Sequence, residues 1–175
     1  ARRFGAAGVV SGRSEFALEG LGFIGLNQVS FEIDSPHDVS IHPVTGDAPM
    51  RILISSGTSG DPKGMVLSHA IMSLRNQTTE AGATSSSRVL PMDLNFIVGF
   101  RPAMSALARG SALVFPPSLS AGGVLQGMLD HHVTHAYFSP LQARGIAVLA
   151  GDGITVCRDM VCLRLGGGPV SADLL

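Results

Sequence analysis

From Met50 onward, short apolar runs alternate with longer segments of helical spacing, and this rhythm constrains the fold more than any other feature. The runs are MRILIS (50–55), RVLPM (88–92), SALVF (111–115), VTHAYFS (133–139) and VCLRLGGG (161–168). Between them, a helix is expected from the cap Ser68 to about Ala81, with Ile71, Met72 and Leu74 near its start and Gly82 ending it. FRPAMSALARG (100–110) reads as helical after Pro102 and stopped by Gly110. In GGVLQGMLDHH (122–132), Val124, Leu125, Met128 and Leu129 fall on one stripe. PLQARGIAVLAG (140–151) opens with Pro140 in a first helical turn. Helical segments of roughly 10 to 15 residues between short strands predict βαβ units, hence an α/β chain with a mainly parallel sheet. MRILIS is continuously apolar, which predicts burial on both faces, whereas VTHAYFS alternates. Ahead of this region, AAGVVS (6–11) reads as a buried strand and NQVSFEID (27–34) as another, with Val29, Phe31 and Ile33 alternating. DSPHDVSIHPVTGDAP (34–49) is polar and proline-rich, and reads as a loop.

Composition narrows the functional classes. Apolar residues make up 45% of the 175 and charged residues 14%, which suits a chain with an interior and excludes a disordered tail. Net charge is −1, so there is no electrostatic footprint for nucleic acid. No apolar run approaches the roughly 20 residues of a membrane span. No apolar segment follows the basic start Ala1–Phe4 as a signal peptide requires. The low charge implies that some surface sits against protein, either the remainder of a longer parent chain or a second copy in a homo-oligomer. An Ala at position 1 and the unfinished VSADLL at the end suggest a fragment. Cys157 and Cys162 read as buried or half-buried thiols of a cytoplasmic protein, because no second pair or flanking His completes a zinc site. His131, His132 and His135 read as a solvated helix end, and no metal site is expected.

The stretch RILISSGTSGDPKGMVLSH (51–69) carries the chemistry. Gly57, Gly60 and Gly64 let backbone approach a ligand, and successive N–H groups in such a loop form an anion nest. Ser55, Ser56, Thr58 and Ser59 add hydroxyl donors, Lys63 a point charge, and Pro62 stiffens the approach to it. Placed between a buried strand and a helix, the loop would lie at the carboxyl end of a strand, where α/β sheets bind ligands. The parts suit a polyphosphate, whereas a plain surface turn needs no such density of donors. A Walker A loop fails, because Lys63 lies between Pro62 and Gly64. A nucleophile elbow fails, because Ile54 stands two residues before Ser56. A serine amidase has no use for DPKG.

ISSGTSGDPKGMVLSH resembles the signature loop of the adenylate-forming superfamily, which includes acyl-CoA synthetases, aryl-CoA ligases, luciferases and peptide-synthetase adenylation domains. Ile54–Gly60 and Pro62–Gly64 fill the family pattern, and His69 takes its trailing position. SALARGSALVF (105–115), LDHHVTHAYFSPLQARGI (129–146) and LRLGGGPVSADLL (163–175) are similar to later family elements, in order. The resemblance implies a partial N-terminal domain over 1–175. Within it, 1–45 would be a preceding subdomain portion and 46–175 the phosphate-loop portion, with the C-terminal domain absent. It implies attack of a carboxylate on the α-phosphorus of ATP, release of pyrophosphate, and transfer of the acyl group to a thiol such as coenzyme A, usually with Mg²⁺. Ser55, Ser56, Gly57, Thr58, Ser59, Gly60 and Gly64 would cradle the β- and γ-phosphates, with Lys63 as the catalytic cation. Gly166, Gly167, Gly168 and Pro169 would lie against adenine. The implied parent is an acyl- or aryl-CoA ligase. The alternatives are a peptide-synthetase adenylation domain and a non-catalytic nucleotide binder. LPMDLNFIVGF (90–100) departs from the family by lacking its His near the acyl pocket; there Phe96 and Phe100 read as core and Asp93 as a helix cap. The family's Tyr-Gly-x-Thr-Glu motif, its ribose-binding Asp and its C-terminal Lys have no counterpart in these 175 residues, so the fragment alone is expected to be inactive.

Overall fold

The computed structural model describes residues 6–29, 42–55, 63–77, 82–151 and 157–172. The chain divides into two compact units, one of Ala1–Thr45 with Ser55–Gly64, the other of Gly46–Ile54 with Met65–Leu175.

The larger unit is built on a four-stranded parallel sheet in the order β6-β5-β7-β8, from β5 (Arg88–Leu90), β6 (Ala112–Leu113), β7 (His135–Phe138) and β8 (Cys162–Leu165). The crossovers are α2 (Ile97–Ala108), α3 (Ala121–Asp130) and α4 (Pro140–Ala150). The predicted α/β fold with a parallel sheet is therefore present. On one face, Leu90, Ala136 and Phe138 pack with Val124 and Met128 of α3 and Ile146 of α4. On the other, Val89 and Tyr137 pack with Ala106 of α2. Helix α1 (His69–Gln77) lies against α2 and buries Met72. The predicted α3 stripe holds, with Val124 and Met128 buried and Leu125 and Leu129 half-buried.

Strand β7 departs from its alternating pattern by being buried at all four positions. It is central, so Ala136 and Phe138 meet α3 and α4 while His135 and Tyr137 face the α2 side. MRILIS departs in the opposite sense. It forms β3 (Pro49–Ser55), which pairs with β4 (Lys63–Ser68) in a separate two-stranded sheet. Ile54 is 64% exposed, and Met50 and Ile52 are also exposed. Among the described residues β3 is not part of the four-stranded sheet, so it lacks that sheet's covering helices.

The glycine loop thus joins two strands, not a strand and a helix as predicted; β4 intervenes before α1. Ser68 does accept from the Ile71 amide at 3.4 Å, as expected of a cap. Helix α2 begins at Ile97, five residues before the expected Pro102, which is buried inside it. The cause is Gly99: a Cβ there would stand 2.3 Å from the Asp93 carbonyl and 2.4 Å from that of Met92, so the glycine lets the first turn seat on the end of β5. Asp93 is not the helix cap. Its carboxylate accepts from the Asn95 amide at 2.8 Å in the turn before, and Phe96 is the N-cap. Phe96 is 60% exposed rather than core, while Phe100 is half-buried under the Arg51 guanidinium, 4.1 Å from its ring.

In the smaller unit, β1 (Gly8–Ser11) pairs in parallel with β2 (Gly22–Gly25). AAGVVS is a strand, but it is exposed or half-buried, because in this sheet it has β2 as its one neighbour. Asn27 and Gln28 fall in a 3₁₀ turn (Leu26–Gln28) instead of a strand. The Gln28 side chain accepts from the Gly25 amide at 3.0 Å and closes the chain there. The rest of the NQVSFEID prediction beyond Val29, and the loop prediction up to residue 41, lie outside the described residues. Among the described residues no helix is long and apolar enough to cross a membrane.

Candidate active site at the carboxyl edge of the sheet

The chain leaves β5 for β6 on one side and returns as β7 on the other. Connections therefore diverge between the carboxyl ends of β5 and β7, and open α/β sheets bind ligands at such a switch point. A crevice of about 310 Å³ lies there, lined by Met92, Asp93 and Phe96 after β5, Ser139 and Gln142 after β7, and Gly167 after β8. Ser139 caps α4. Its hydroxyl accepts from the Gln142 backbone amide at 3.2 Å, and the Gln142 side-chain oxygen Oε1 accepts from the Ser139 backbone amide at 3.1 Å. Such reciprocal capping fixes the entry to α4 and with it one wall of the crevice.

The predicted adenine glycines follow β8. The Gly166 amide donates to the Phe138 carbonyl at 3.0 Å and so prolongs the β7–β8 ladder. Gly167 adopts φ +81°, a conformation that strains any residue with a Cβ. Its Cα faces the Met92 methyl and Val98. Gly168 faces the Pro140 ring. Of the run, Gly167 lines the crevice, and Pro169 continues beyond it, exposed.

A second cavity, of about 430 Å³, adjoins the first through the shared residues Met92 and Val98. Arg75, Arg101 and Arg164 line it, with Tyr137, Ile97, Leu165 and Gly166. The Arg164 guanidinium lies over the Tyr137 ring, 6.0 Å from its centre.

Ser55 ends β3, and Lys63 and Gly64 open β4, exposed. Lys63 and Gly64 belong to the smaller unit and Gly166–Pro169 to the larger. Ser56, Gly57, Thr58, Ser59 and Gly60 lie outside the described residues.

The histidines separate. His131 and His132 are exposed at the end of α3, and His132 meets Asp159 at 2.9 Å. His135, predicted as part of a solvated end, is buried in β7 with its Nδ1 2.9 Å from the Thr134 hydroxyl. Among the described residues no group of three His, Cys, Asp or Glu side chains could hold a metal ion. Cys157 and Cys162 are free and half-buried, and burial raises the Cys157 thiol above its ordinary pKa.

Sequence reasoning passed over Arg75, Arg101, Arg164, Ser139 and Gln142. The S-P-x-Q spacing at 139–142 was a readable capping signal. The arginines offered none, being 26 and 63 residues apart along the chain (75 to 101, 101 to 164).

The AMP-binding enzyme family matches the chain over residues 10–175. The chain belongs to that family. Among curated relatives of this AMP-binding chain, the nonribosomal peptide synthetase malG of Malbranchea aurantiaca is 31% identical over 127 residues, covering 70% of the chain and 5% of the relative. The probable nonribosomal peptide synthetase CymA of Salinispora arenicola is 29% identical over 145 residues, 80% of the chain and 2% of the relative. Among solved structures, O-succinylbenzoate coenzyme A synthetase (MenE) of Bacillus subtilis, in complex with ATP and magnesium ion, superposes with TM-score 0.79 at 20% identity, over 99% of this chain and 37% of that one. The N-terminal subdomain of Klebsiella oxytoca NpsA superposes with TM-score 0.75 over 97% of this chain and 44% of that one, also at 20% identity. The chain thus spans a small part of these curated relatives and under half of these solved chains.

Proposed function

We propose that the protein carrying this chain activates a carboxylic acid as an acyl-adenylate. A carboxylate oxygen attacks the α-phosphorus of ATP, the bond to the bridging oxygen breaks, and pyrophosphate leaves with the electron pair. The observation that carries this reading is the SSGTSGDPKG loop in a chain of the AMP-binding family. Ser55 to Gly60 would offer amide and hydroxyl donors to the β- and γ-phosphates, and Gly64 would let the backbone close on them. Lys63 would offset the charge that builds on the departing pyrophosphate. The turn Gly166–Pro169 would take the adenine at the switch-point crevice, where backbone without side chains allows a flat ring to approach. The ATP- and magnesium-bound MenE structure supports ATP as the nucleotide.

Lys63→Ala tests the phosphate role. A charge-assisted contact contributes about 1.5–3 kcal/mol, so kcat/KM for ATP in pyrophosphate exchange should fall roughly 10- to 200-fold with an unchanged melting curve. An unchanged exchange rate would remove Lys63 from the site.

The acceptor thiol has two readings. Coenzyme A is supported by the likeness to a coenzyme A synthetase. Transfer within a peptide synthetase is supported by the higher identity to malG and CymA, and we favour it. Formation of free acyl-CoA when coenzyme A is added to the adenylate would reverse that preference.

A further inference from the structure

The switch-point crevice has one ionisable side chain among its described lining residues, the carboxylate of Asp93. A negative group is a poor neighbour for the phosphates of ATP or for the carboxylate to be activated, because like charges at close range repel. It suits the uncharged end of a nucleotide, where an exocyclic amine presents N–H groups to an acceptor. The other polar side chains of that lining are engaged with each other. The Ser139 hydroxyl donates to Gln142 Oε1 at 3.1 Å and accepts from the Gln142 backbone amide, and the same Oε1 accepts from the Ser139 backbone amide. Asp93 gives one oxygen to the Asn95 amide at 2.8 Å. An ionised carboxylate has about four lone-pair sites and no donor, so accepting capacity is left over. The remaining walls are apolar and include Phe96, which is 60% exposed at the head of α2. An aromatic ring and the Gly167 turn on one crevice of about 310 Å³ suit a flat heterocycle. Asp93 and Phe96 both lie in LPMDLNFIVGF, the stretch in which the chain departs from its family.

Resting on the placement of adenine in the reading above, we propose that Asp93 reads the base. The 6-amino group of adenine donates to its carboxylate, and the ring lies on Phe96. The hydrogen bond to the Asn95 amide holds the carboxylate in place for this contact. A purine without the 6-amino group forfeits a charge-assisted hydrogen bond, and a 6-oxo purine brings an acceptor toward an acceptor. Stacking on Phe96 is tolerant of the purine, so base choice rests on Asp93 and general affinity on Phe96.

The test is equilibrium dialysis of the full-length protein with ATP, with GTP, and with purine riboside triphosphate, which lacks the 6-amino group. The expected result is ATP bound at least about 10-fold more tightly than the purine analogue. Asp93→Ala should bring that ratio toward one. Asp93→Asn keeps an oxygen for the Asn95 amide, and should narrow the ratio without lowering the melting temperature. Phe96→Ala should weaken ATP and the analogue by a similar factor, about 5-fold or more. The wild-type comparison needs no variant to fold. Equal affinity for ATP and the analogue would overturn this inference and leave adenylation standing. Tighter binding of GTP than of ATP would overturn it too. So would an Asp93→Ala protein that keeps its ATP preference and loses only amine-bearing acids in pyrophosphate exchange, because the carboxylate would then belong to the acid. Binding of none of the three nucleotides, with no exchange for any acid offered, would overturn the adenylation reading and this inference with it.

Discussion

Strands β7 and β3 both read as apolar segments leading into functional loops, yet β7 is buried at every position and Ile54 of β3 is 64% exposed. The side chains do not explain this, since Ile52, Leu53 and Ile54 are at least as apolar as Ala136, Tyr137 and Phe138. Layering does. Strand β7 has a strand on each side and helices over each face, whereas β3 pairs with β4 in a separate sheet. Hydropathy states what a strand tolerates; its neighbours decide what it receives.

The sharpest way to break that contrast is Phe138→Ala, which empties the space between β7 and helices α3 and α4 and should cost about 3–5 kcal/mol in chemical denaturation. A cost under about 1 kcal/mol would mean the layer is not packed as described. Gly167→Ala should cost about 1–2 kcal/mol, because φ +81° must be kept while the new methyl meets Met92 and Val98 at ordinary contact distance. Ile54→Ser should stay within about 0.5 kcal/mol. A loss above about 2 kcal/mol in the full-length protein would show that this face of β3 is covered there.

The smallest effect is a pH slope. Burial raises the Cys157 thiol, so the folded chain holds that proton when the unfolded chain has lost it. Stability should therefore decline as pH rises above the ordinary thiol range, and Cys157→Ala should flatten the decline when ΔG is compared across alkaline pH.

Much of the fold was legible. The alternation from Met50 onward placed α3, α4 and the strands of the four-stranded sheet, because each crossover helix carries its own apolar stripe and stop. Strand β2 was not legible: GFIG is short and bounded by glycines, and nothing in it alternates. Strand β4 was obscured because KGMVLS begins inside the phosphate motif and ends on the serine that caps α1. The start of α2 was misread because Pro102 is a familiar helix opener, while the deciding contact, Gly99 on the Met92–Asp93 backbone, is local in space but silent in sequence. At the site, the glycine turn after β8 could be read from its composition. The arginine cavity could not, since it exists only once α1, α2 and β8 converge.

The central proposal is that the SSGTSGDPKG segment takes the phosphates of ATP and that the turn after β8 takes adenine. A crystal structure of the full-length protein with a non-hydrolysable ATP analogue tests it most directly. The account predicts adenine against Gly166–Pro169 and the β- and γ-phosphates on Ser55–Gly60 and Lys63. Nucleotide bound elsewhere, with both segments free of it, would contradict the account.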